Sequence, residues 1–188
     1  MPEIILTDDH KYIVDGKPKL NVTKVLELSG LSNYYPRDPW YLERGKIVHM
    51  ATVMIDNDTL DWDTVDDRIR GYLEGYGKFI MDTGWKFQYS ELKLWHPIYD
   101  YCGTPDRFLP LLDIKTGEDN EEQLGGYWEL LYANDYKPPR EAHTLKLNEN
   151  GTYKLNQTKE PITKLRDVFL AGLTIAKWKE RKYGNSNY

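Results

Sequence analysis

Three side chains between residues 106 and 115 have the types and the spacing of a metal-assisted reaction centre. The turn Gly103-Thr104-Pro105 leads to Asp106, and the apolar pair Leu111-Leu112 leads to Asp113, with Lys115 two positions further on. Because strand side chains alternate between two faces, Asp113 and Lys115 point to the same side.

A hairpin tip at Leu109-Pro110 brings the two aspartates together. Asp106 then stands opposite Asp113, and opposed residues of an antiparallel pair share a face. Two carboxylates and one amine in one place hold a hard divalent cation beside a phosphate, while the lysine balances developing charge. The alternatives are a simple turn at Asp106 and an exposed ion pair of Asp113 with Lys115. The apolar strand favours a site, because charges at the end of a buried strand are costly otherwise.

Four segments together resemble the PD-(D/E)xK nuclease superfamily, in particular its RecB-like and phage-type exonuclease branch. Pro105-Asp106 and Asp113-Ile114-Lys115 match the two halves of the superfamily motif. Upstream, residues 44–49 (RGKIVH) are similar to the segment with the helix histidine of that branch, and downstream, residues 123–127 (QLGGY) resemble its QxxxY motif. The resemblance covers residues 12 to 130. The order and spacing of the motifs are similar to those of RecB-type nuclease domains, of the mitochondrial genome-maintenance exonuclease and of phage-encoded relatives.

The resemblance implies an α/β fold that is restriction-endonuclease-like, with a central mixed β-sheet flanked by helices in a single domain. We expect one nuclease domain over residues 1–188, with an N-terminal hairpin and helix (1–30), a catalytic core (40–135) and a C-terminal hairpin and helix (140–183). Local patterns predict the same architecture. They indicate strands at 4–6, 12–14, 85–87, 90–95, 98–102, 111–115, 144–147 and 152–155, and helices at 21–28, 41–54, 65–80, 121–133 and 162–181, with a solvated acidic stretch at 56–63.

The resemblance also assigns roles to the site residues. Lys115 would orient or activate the attacking water and stabilise charge on the phosphate. In this interpretation His49 is a metal ligand, and the alternatives are a helix-surface or a satisfied core histidine. From its own position on the strand before the hairpin, Glu91 would reach the same cations, directly or through water, with an edge-strand charge as the alternative. The predicted catalytic residues are Asp106, Asp113, Lys115 and Glu91, and the predicted ligands of one or two cations are His49, Asp106, Asp113 and the carbonyl of Ile114.

The cofactor implied by this ligand set is Mg²⁺ or Mn²⁺. Neutral imidazole beside carboxylates shifts the preference toward Mn²⁺ without excluding Mg²⁺. An iron–sulfur cluster, which some RecB-like relatives contain, is excluded because Cys102 is the single cysteine. A single cysteine also excludes an internal disulfide framework and suggests a reducing compartment.

Four residues are predicted to contact DNA: Gln123, Tyr127, Arg44 and Lys46. Gln123 and Tyr127 lie one helical turn apart and would organise the site or touch the DNA backbone. Their alternatives are a solvated amide and a core phenol, but Gly125-Gly126 between them is poor helix material, which favours function. Arg44 and Lys46 would contact phosphate or merely solvate their helix. Glycine at position 45 suggests that something approaches this helix closely.

Two aromatic segments have both a nucleic-acid interpretation and a structural one. The loop before the histidine helix would guide a single strand by stacking bases on Tyr34, Tyr35 or Trp40, or would fold onto the core. Near the C-terminus, cations surround Trp178, where they complement the helix dipole or bind single strands. The candidate cations are Arg37, Arg44, Lys46 and Lys86 at the first segment and Lys177, Lys179, Arg181 and Lys182 at the second.

The net charge of −5 argues against a grip on nucleic acid over the whole surface, although bound cations offset a local acidic site. No apolar run is long enough for a membrane span. We therefore predict a cytoplasmic, metal-dependent deoxyribonuclease, an exonuclease for DNA ends or single strands in phage-type recombination, replication or repair, with DNA and a single-strand annealing or recombination protein as partners. The alternatives are a structure-specific or restriction-like endonuclease, and a catalytically inactive DNA-binding or regulatory module.

Overall fold

The computed structural model describes residues 2–7, 9–32, 38–118 and 120–183. None of the helices in these ranges has both the length and the apolar character needed to cross a membrane. In chain order the elements are β1 (Ile4–Leu6), β2 (Tyr12–Val14), β3 (Lys17–Asn21), α1 (Val22–Ser29), α2 (Pro39–Asp56), α3 (Asp67–Thr83), β4 (Tyr89–Ser90), β5 (Leu94–Trp95), β6 (Tyr101–Gly103), β7 (Arg107–Phe108), β8 (Leu111–Lys115), α4 (Glu122–Ala133), β9 (Ala142–Leu147), β10 (Tyr153–Gln157) and α5 (Ile162–Tyr183).

The strands form two mixed sheets of five strands each. In the first sheet, β1, β2 and β3 form an antiparallel meander, β3 runs parallel to β6, and β5 is antiparallel to β6. In the second sheet, β10 is antiparallel to β9, β9 runs parallel to β8, and β7 and β4 continue the sheet in antiparallel order. Helices flank this β-structure, which confirms the predicted α/β class.

A backbone break at Glu91 explains why there are two sheets where the sequence predicts one. Glu91 has a φ of 52°, in the left-handed region that extended strands do not use. The predicted strand over 90–95 is therefore divided. Its first part, β4, pairs with β7 in the second sheet, and its second part, β5, pairs with β6 in the first.

The central strand β8 is covered on both faces. Leu111 belongs to the apolar cluster formed with α1, α4 and α5, whereas Leu112 and Ile114 belong to the cluster formed with α2 and α3. Alternation along the strand puts Asp113 and Lys115 on the same face as Leu111, toward α4. A strand packed on both faces is a rigid support for the charged residues at its end.

The other predicted elements are present, with three corrections. Residues 85–87 form no strand, because Trp85 packs edge-on against Phe79 of α3, with ring centroids 5.5 Å apart, instead of joining a sheet. The strand predicted over 98–102 begins only at Tyr101, after a turn. Asp56, predicted to lie in a solvated stretch, ends α2 and forms an ion pair with the buried Arg107.

The helical glycines Gly125 and Gly126 have a structural explanation, contrary to the functional one that their position suggested. A Cβ atom at Gly125 would overlap the backbone of Leu165, and one at Gly126 would lie 2.8 Å from the Phe169 ring. These glycines therefore let α4 and α5 pack closely. Gly71 of α3 has the same function for the loop between β9 and β10, because its Cβ would overlap the carbonyl oxygen of Glu149.

Gly125→Ala is expected to lower the free energy of unfolding by about 1–3 kcal/mol or more, because the added methyl group would meet backbone that cannot rotate away. Gly77→Ala in α3 is the matched control. It adds the same methyl group to open space and should raise the free energy of unfolding by about 0.4–1 kcal/mol. Urea unfolding followed by circular dichroism measures both. Equal stabilities of the two variants would contradict the close packing of α4 on α5.

Candidate metal centre and active site

The hairpin formed by β7 and β8 has the predicted register. Arg107 is paired with Leu112, and continuing this antiparallel register places Asp106 opposite Asp113 with the tip at Leu109-Pro110. The backbone N–H of Ile114 donates a hydrogen bond of 2.6 Å to Asp106 Oδ2. Asp106 is thereby fixed against the strand that holds Asp113.

His49 approaches Asp106 from helix α2. Its Nδ1 lies 3.1 Å from Asp106 Oδ1, so the two oxygens of this carboxylate have different partners, one on α2 and one on β8. Asp106 is 5% exposed, whereas the side chain of His49 is 28% exposed. The imidazole therefore lies between the buried carboxylate and solvent, where a ligand can enter.

Glu91 completes a cluster of potential ligands. Its backbone N–H donates to the Asp106 carbonyl oxygen at 3.0 Å, and the left-handed conformation turns its side chain so that Oε1 lies 3.9 Å from His49 Nδ1. One ligand atom from each of His49, Glu91 and Asp106 lies within 4.8 Å of the other two. Backbone strain in a non-glycine residue is typical of functional sites.

Asp113 and Lys115 form a second group beside this cluster. Lys115 Nζ lies 2.7 Å from Asp113 Oδ2 and donates a hydrogen bond of 2.7 Å to Gln123 Oε1. Gln123 Nε2 in turn donates to the hydroxyl of Tyr127 at 2.7 Å. The structure thus joins Asp113, Lys115, Gln123 and Tyr127 in one chain of contacts. Their part in catalysis or DNA binding stays a prediction.

The ligand cluster in the structure differs from the predicted ligand set in its composition. It contains Glu91 in addition to His49 and Asp106, whereas Asp113 is engaged by Lys115. Ile114, predicted to offer its carbonyl, contributes its N–H to Asp106. Asp113 is on the shared face of the hairpin and stays a predicted ligand.

Concentrated negative charge alters the pKa values of the site. Burial acts to lower the pKa of His49, but the charge and hydrogen bond of Asp106, helped by Glu91 and Asp113, outweigh it and raise the pKa to about 9. Burial, reinforced by the charge of Asp106, raises the pKa of Glu91 to about 7. Burial also raises the pKa of Asp113 to about 6, against the opposing charge of Lys115. Without a metal ion, bound protons therefore offset part of the negative charge of the site, and a cation can displace them.

Sequence reasoning missed the buried Arg107, which contacts both Asp106 and Glu91 of this cluster. Its guanidinium is 0% exposed, pairs with Asp56, and donates to Thr52 Oγ1 at 2.9 Å and to the Asp106 carbonyl oxygen at 2.7 Å. Arg107 Nη1 also lies 3.7 Å from Glu91 Oε1. The sequence does contain a signal for this residue, because Arg107 is a charged residue inside an apolar hairpin. It is paired with Leu112, which packs against α2 and α3. A buried cation at such a position needs an acidic partner.

The residues predicted to contact DNA from α2 have different environments. Arg44 donates to the Thr116 carbonyl oxygen at 2.8 Å, and its guanidinium lies 4.9 Å from the ring centroids of both Tyr41 and Tyr72. Lys46 is exposed. An added Cβ at Gly45 would meet Thr116 Oγ1 at 3.9 Å, an ordinary contact.

Only part of the aromatic loop that is predicted to guide a single DNA strand lies within the residues that the structure describes. Tyr34, Tyr35 and Arg37 lie outside the described residues. Trp40 packs against the apolar cluster of α2 and α3, and the guanidinium of Arg68 covers its ring at 4.0 Å, which favours the structural alternative for this side chain. Lys86 is exposed.

Three of the C-terminal cations have contacts within the protein, different from the predicted complement to the helix dipole. Lys177 Nζ donates to the Tyr99 carbonyl oxygen at 2.6 Å, and Lys179 Nζ donates to the Leu28 carbonyl oxygen at 2.7 Å. Lys182 Nζ lies 4.8 Å from the centroid of the Trp178 ring. These contacts tie α5 to neighbouring segments and to its own aromatic side chain.

The affinity of the site for Mn²⁺ is expected to rise with pH from about 6 to about 8.5, by up to about tenfold per pH unit for each proton displaced. The sign follows from the raised pKa of His49 (about 9) and of Glu91 (about 7), since both must lose protons before they bind a cation. Calorimetric titrations in buffers of different ionisation enthalpy count the protons released. His49→Ala should release fewer, and a pH-independent affinity would contradict the assignment of these residues as ligands.

The chain matches no protein-family model, and a search of curated proteins finds no significant match.

Proposed function

We propose that the chain is a divalent-metal-dependent deoxyribonuclease that hydrolyses phosphodiester bonds, as the motifs resembling the RecB-like exonucleases suggest. The observation that supports this most is the juxtaposition of two groups at the end of one hairpin. The His49, Glu91 and Asp106 cluster lies beside the Asp113–Lys115 ion pair, with Asp106 and Asp113 opposite each other on neighbouring strands.

The donor set fits Mg²⁺ or Mn²⁺. Carboxylate oxygens with one imidazole suit these hard cations, the imidazole favouring Mn²⁺. His49, Glu91 and Asp106 would hold the ion, and Asp113, opposite Asp106 on the neighbouring strand, would be a further ligand. When bound, the cation supplies Lewis-acid stabilisation of the phosphate and neutralises the carboxylates.

The chain's own residues have distinct tasks in the proposed reaction, in which water attacks phosphorus and the bond from phosphorus to the 3′ oxygen breaks, so that the product has a 5′-phosphate. Lys115 orients the water and stabilises charge on the phosphate oxygens. Asp113 and Gln123 hold the ammonium group from two sides. Tyr127 holds Gln123, and the buried Arg107 keeps the main chain of Asp106 in position.

We further propose that the substrate is a DNA end or a single strand, handled in recombination, replication or repair together with a single-strand annealing or recombination protein, in the cytoplasm of a phage-infected bacterium. A domain of net charge −5 has little surface for a long basic track along a duplex. An endonuclease on the same site is the alternative. An inactive binding module is less well supported, because it has no use for an acidic cluster beside a lysine.

A digestion assay tests the proposal. Purified protein is incubated with linear duplex DNA, linear single strands and covalently closed circles, each with Mg²⁺, with Mn²⁺ and with a chelator. We expect metal-dependent degradation of linear DNA with closed circles intact. Rapid nicking of closed circles would establish the endonuclease instead. Binding of DNA without cleavage under any of these conditions would favour the inactive module.

A further inference from the structure

A groove outside the metal cluster begins immediately after strand β8. It has a volume of about 650 Å³ and is bounded by α2, α3, the segment 116–118 and the end of β9. Thr116, at its inner edge, follows Lys115 directly. Lys115 is paired with Lys146 in the parallel register of β8 and β9, so the two side chains lie on the same face of neighbouring strands. The groove therefore starts one residue beyond Lys115, at the end of β8, and its inner walls lie on the side of the sheet that faces α2 and α3.

The inner walls of the groove are aromatic and apolar. Tyr72 and Leu147 are 5% and 1% exposed, and Tyr41 is 47% exposed at the mouth. Arg44 stiffens this wall, because its guanidinium lies 4.9 Å from both tyrosine ring centroids and is held by its bond to the Thr116 carbonyl oxygen. A half-exposed ring on a rigid support is a stacking surface for a flat group.

The polar groups at the rim favour a base rather than a phosphate. Glu118 and Glu149 line the groove and Lys146 is the cation among its lining residues. Two carboxylates repel phosphate, but they accept hydrogen bonds from the amino groups of bases, as acidic residues do from the N4 amino group of cytosine. Asn148, also in the lining, is oriented by a bond of 3.0 Å from its amide nitrogen to Thr152 Oγ1.

We propose that this groove is a nucleobase subsite, which takes one base of a DNA strand bound at the end of β8, stacks it on Tyr41 and prefers cytosine to thymine. The preference arises because cytosine donates an amino hydrogen to the carboxylates of Glu118 or Glu149, whereas thymine presents a carbonyl oxygen at the same position. This subsite rests on the proposed nuclease function, since DNA is its ligand, but its binding can be measured without cleavage.

The test is anisotropy of short fluorescent oligo(dC) and oligo(dT) in chelator. We expect wild type to bind oligo(dC) about fivefold or more tighter than oligo(dT). Tyr41→Ala should weaken both by roughly 5- to 100-fold, the equivalent of one stacked base, while Tyr41→Phe keeps the ring and should bind like wild type. Tyr132→Ala, which removes an exposed tyrosine from α4, is the control and should also bind like wild type.

The double variant Glu118→Gln with Glu149→Gln tests the rim. Removing two negative charges raises the affinity for both oligonucleotides, so the ratio of the two affinities is the readout, and we expect it to fall toward one. Thermal unfolding shows whether each variant is folded. An unchanged ratio in a folded double variant, wild-type affinity of Tyr41→Ala, or no binding of either oligonucleotide by wild type would overturn the subsite.

Cleavage of the same oligonucleotides with Mn²⁺ separates this proposal from the one that it rests on. If wild type cleaves the oligonucleotides but Tyr41→Ala binds them as tightly as wild type does, the subsite is overturned and the proposed nuclease function stands. Cytosine-selective binding that depends on Tyr41, without cleavage, supports the subsite and overturns the nuclease.

Discussion

Asp106→Asn is expected to abolish metal-dependent cleavage and to weaken Mn²⁺ binding by more than about 100-fold, since losing only an outer partner of a ligand typically costs 10- to 100-fold. Asp106 is the residue that links the parts of the site. One oxygen lies 3.1 Å from His49 Nδ1 and the other accepts the Ile114 N–H at 2.6 Å. Asparagine has the same shape and can still accept from Ile114, so the fold should persist while the negative charge is lost.

The matched control is Asp67→Asn, an identical chemical change at a side chain that is 97% exposed in the first turn of α3. Calorimetry with Mn²⁺, a cleavage assay and thermal unfolding are measured on both variants and on wild type. Metal titrations of Asp106→Asn that superimpose on those of wild type would remove this hairpin from the metal site.

Lys115→Met should lower kcat by about 100- to 1,000-fold, the typical cost of removing one pre-organised donor from a developing charge. Metal affinity should change little, because the lysine is not a ligand. Methionine keeps most of the side-chain volume, but it leaves the buried Asp113 without its cation. The resulting loss of stability is reduced because burial already raises the pKa of Asp113 to about 6, so this carboxyl group can take up a proton and become neutral.

Lys115→Arg keeps the charge and provides a second variant if Lys115→Met proves unstable. Its planar guanidinium cannot reproduce the point contact with Gln123 and Asp113, so we expect turnover between those of wild type and Lys115→Met. Lys154→Ala, at an exposed position of β10, controls for the loss of a lysine. If Lys115→Met is folded and turns over within a few-fold of wild type, the proposed role of Lys115 is wrong.

The position of Asp106 opposite Asp113 was predictable from the sequence because it depends on local rules. Alternation along β8 and a tip at Leu109-Pro110 are sufficient to place both aspartates and Lys115 on one face. The caps of α1 are equally local, with Asn21 accepting from the Lys24 N–H at 2.7 Å and Gly30 in the left-handed conformation at a φ of 83°.

Other parts of the site depend on contacts between distant segments, which periodicity does not reveal. The left-handed backbone of Glu91 divides a strand that its neighbours predict as continuous. Arg107 is a fully buried cation because Asp56, at the far end of α2, reaches it. The pair Gly125-Gly126 favoured a functional role for its helix, but Gly125 is explained by the backbone of Leu165 on another helix.

The place where Gly71 meets Glu149 has a consequence for how this protein can change. One wall of the groove is the end of β9 and the loop after it, and that loop rests directly on the bare Cα of Gly71, where a Cβ would overlap its carbonyl oxygen. A larger residue at position 71 would overlap this loop, so we expect it to displace the loop from α3, change the width of the groove and lower the free energy of unfolding, as at Gly125. The hairpin with Asp106 and Asp113 takes no part in that contact. A single replacement in α3 would therefore alter the proposed nucleobase subsite without touching the residues of the proposed metal centre.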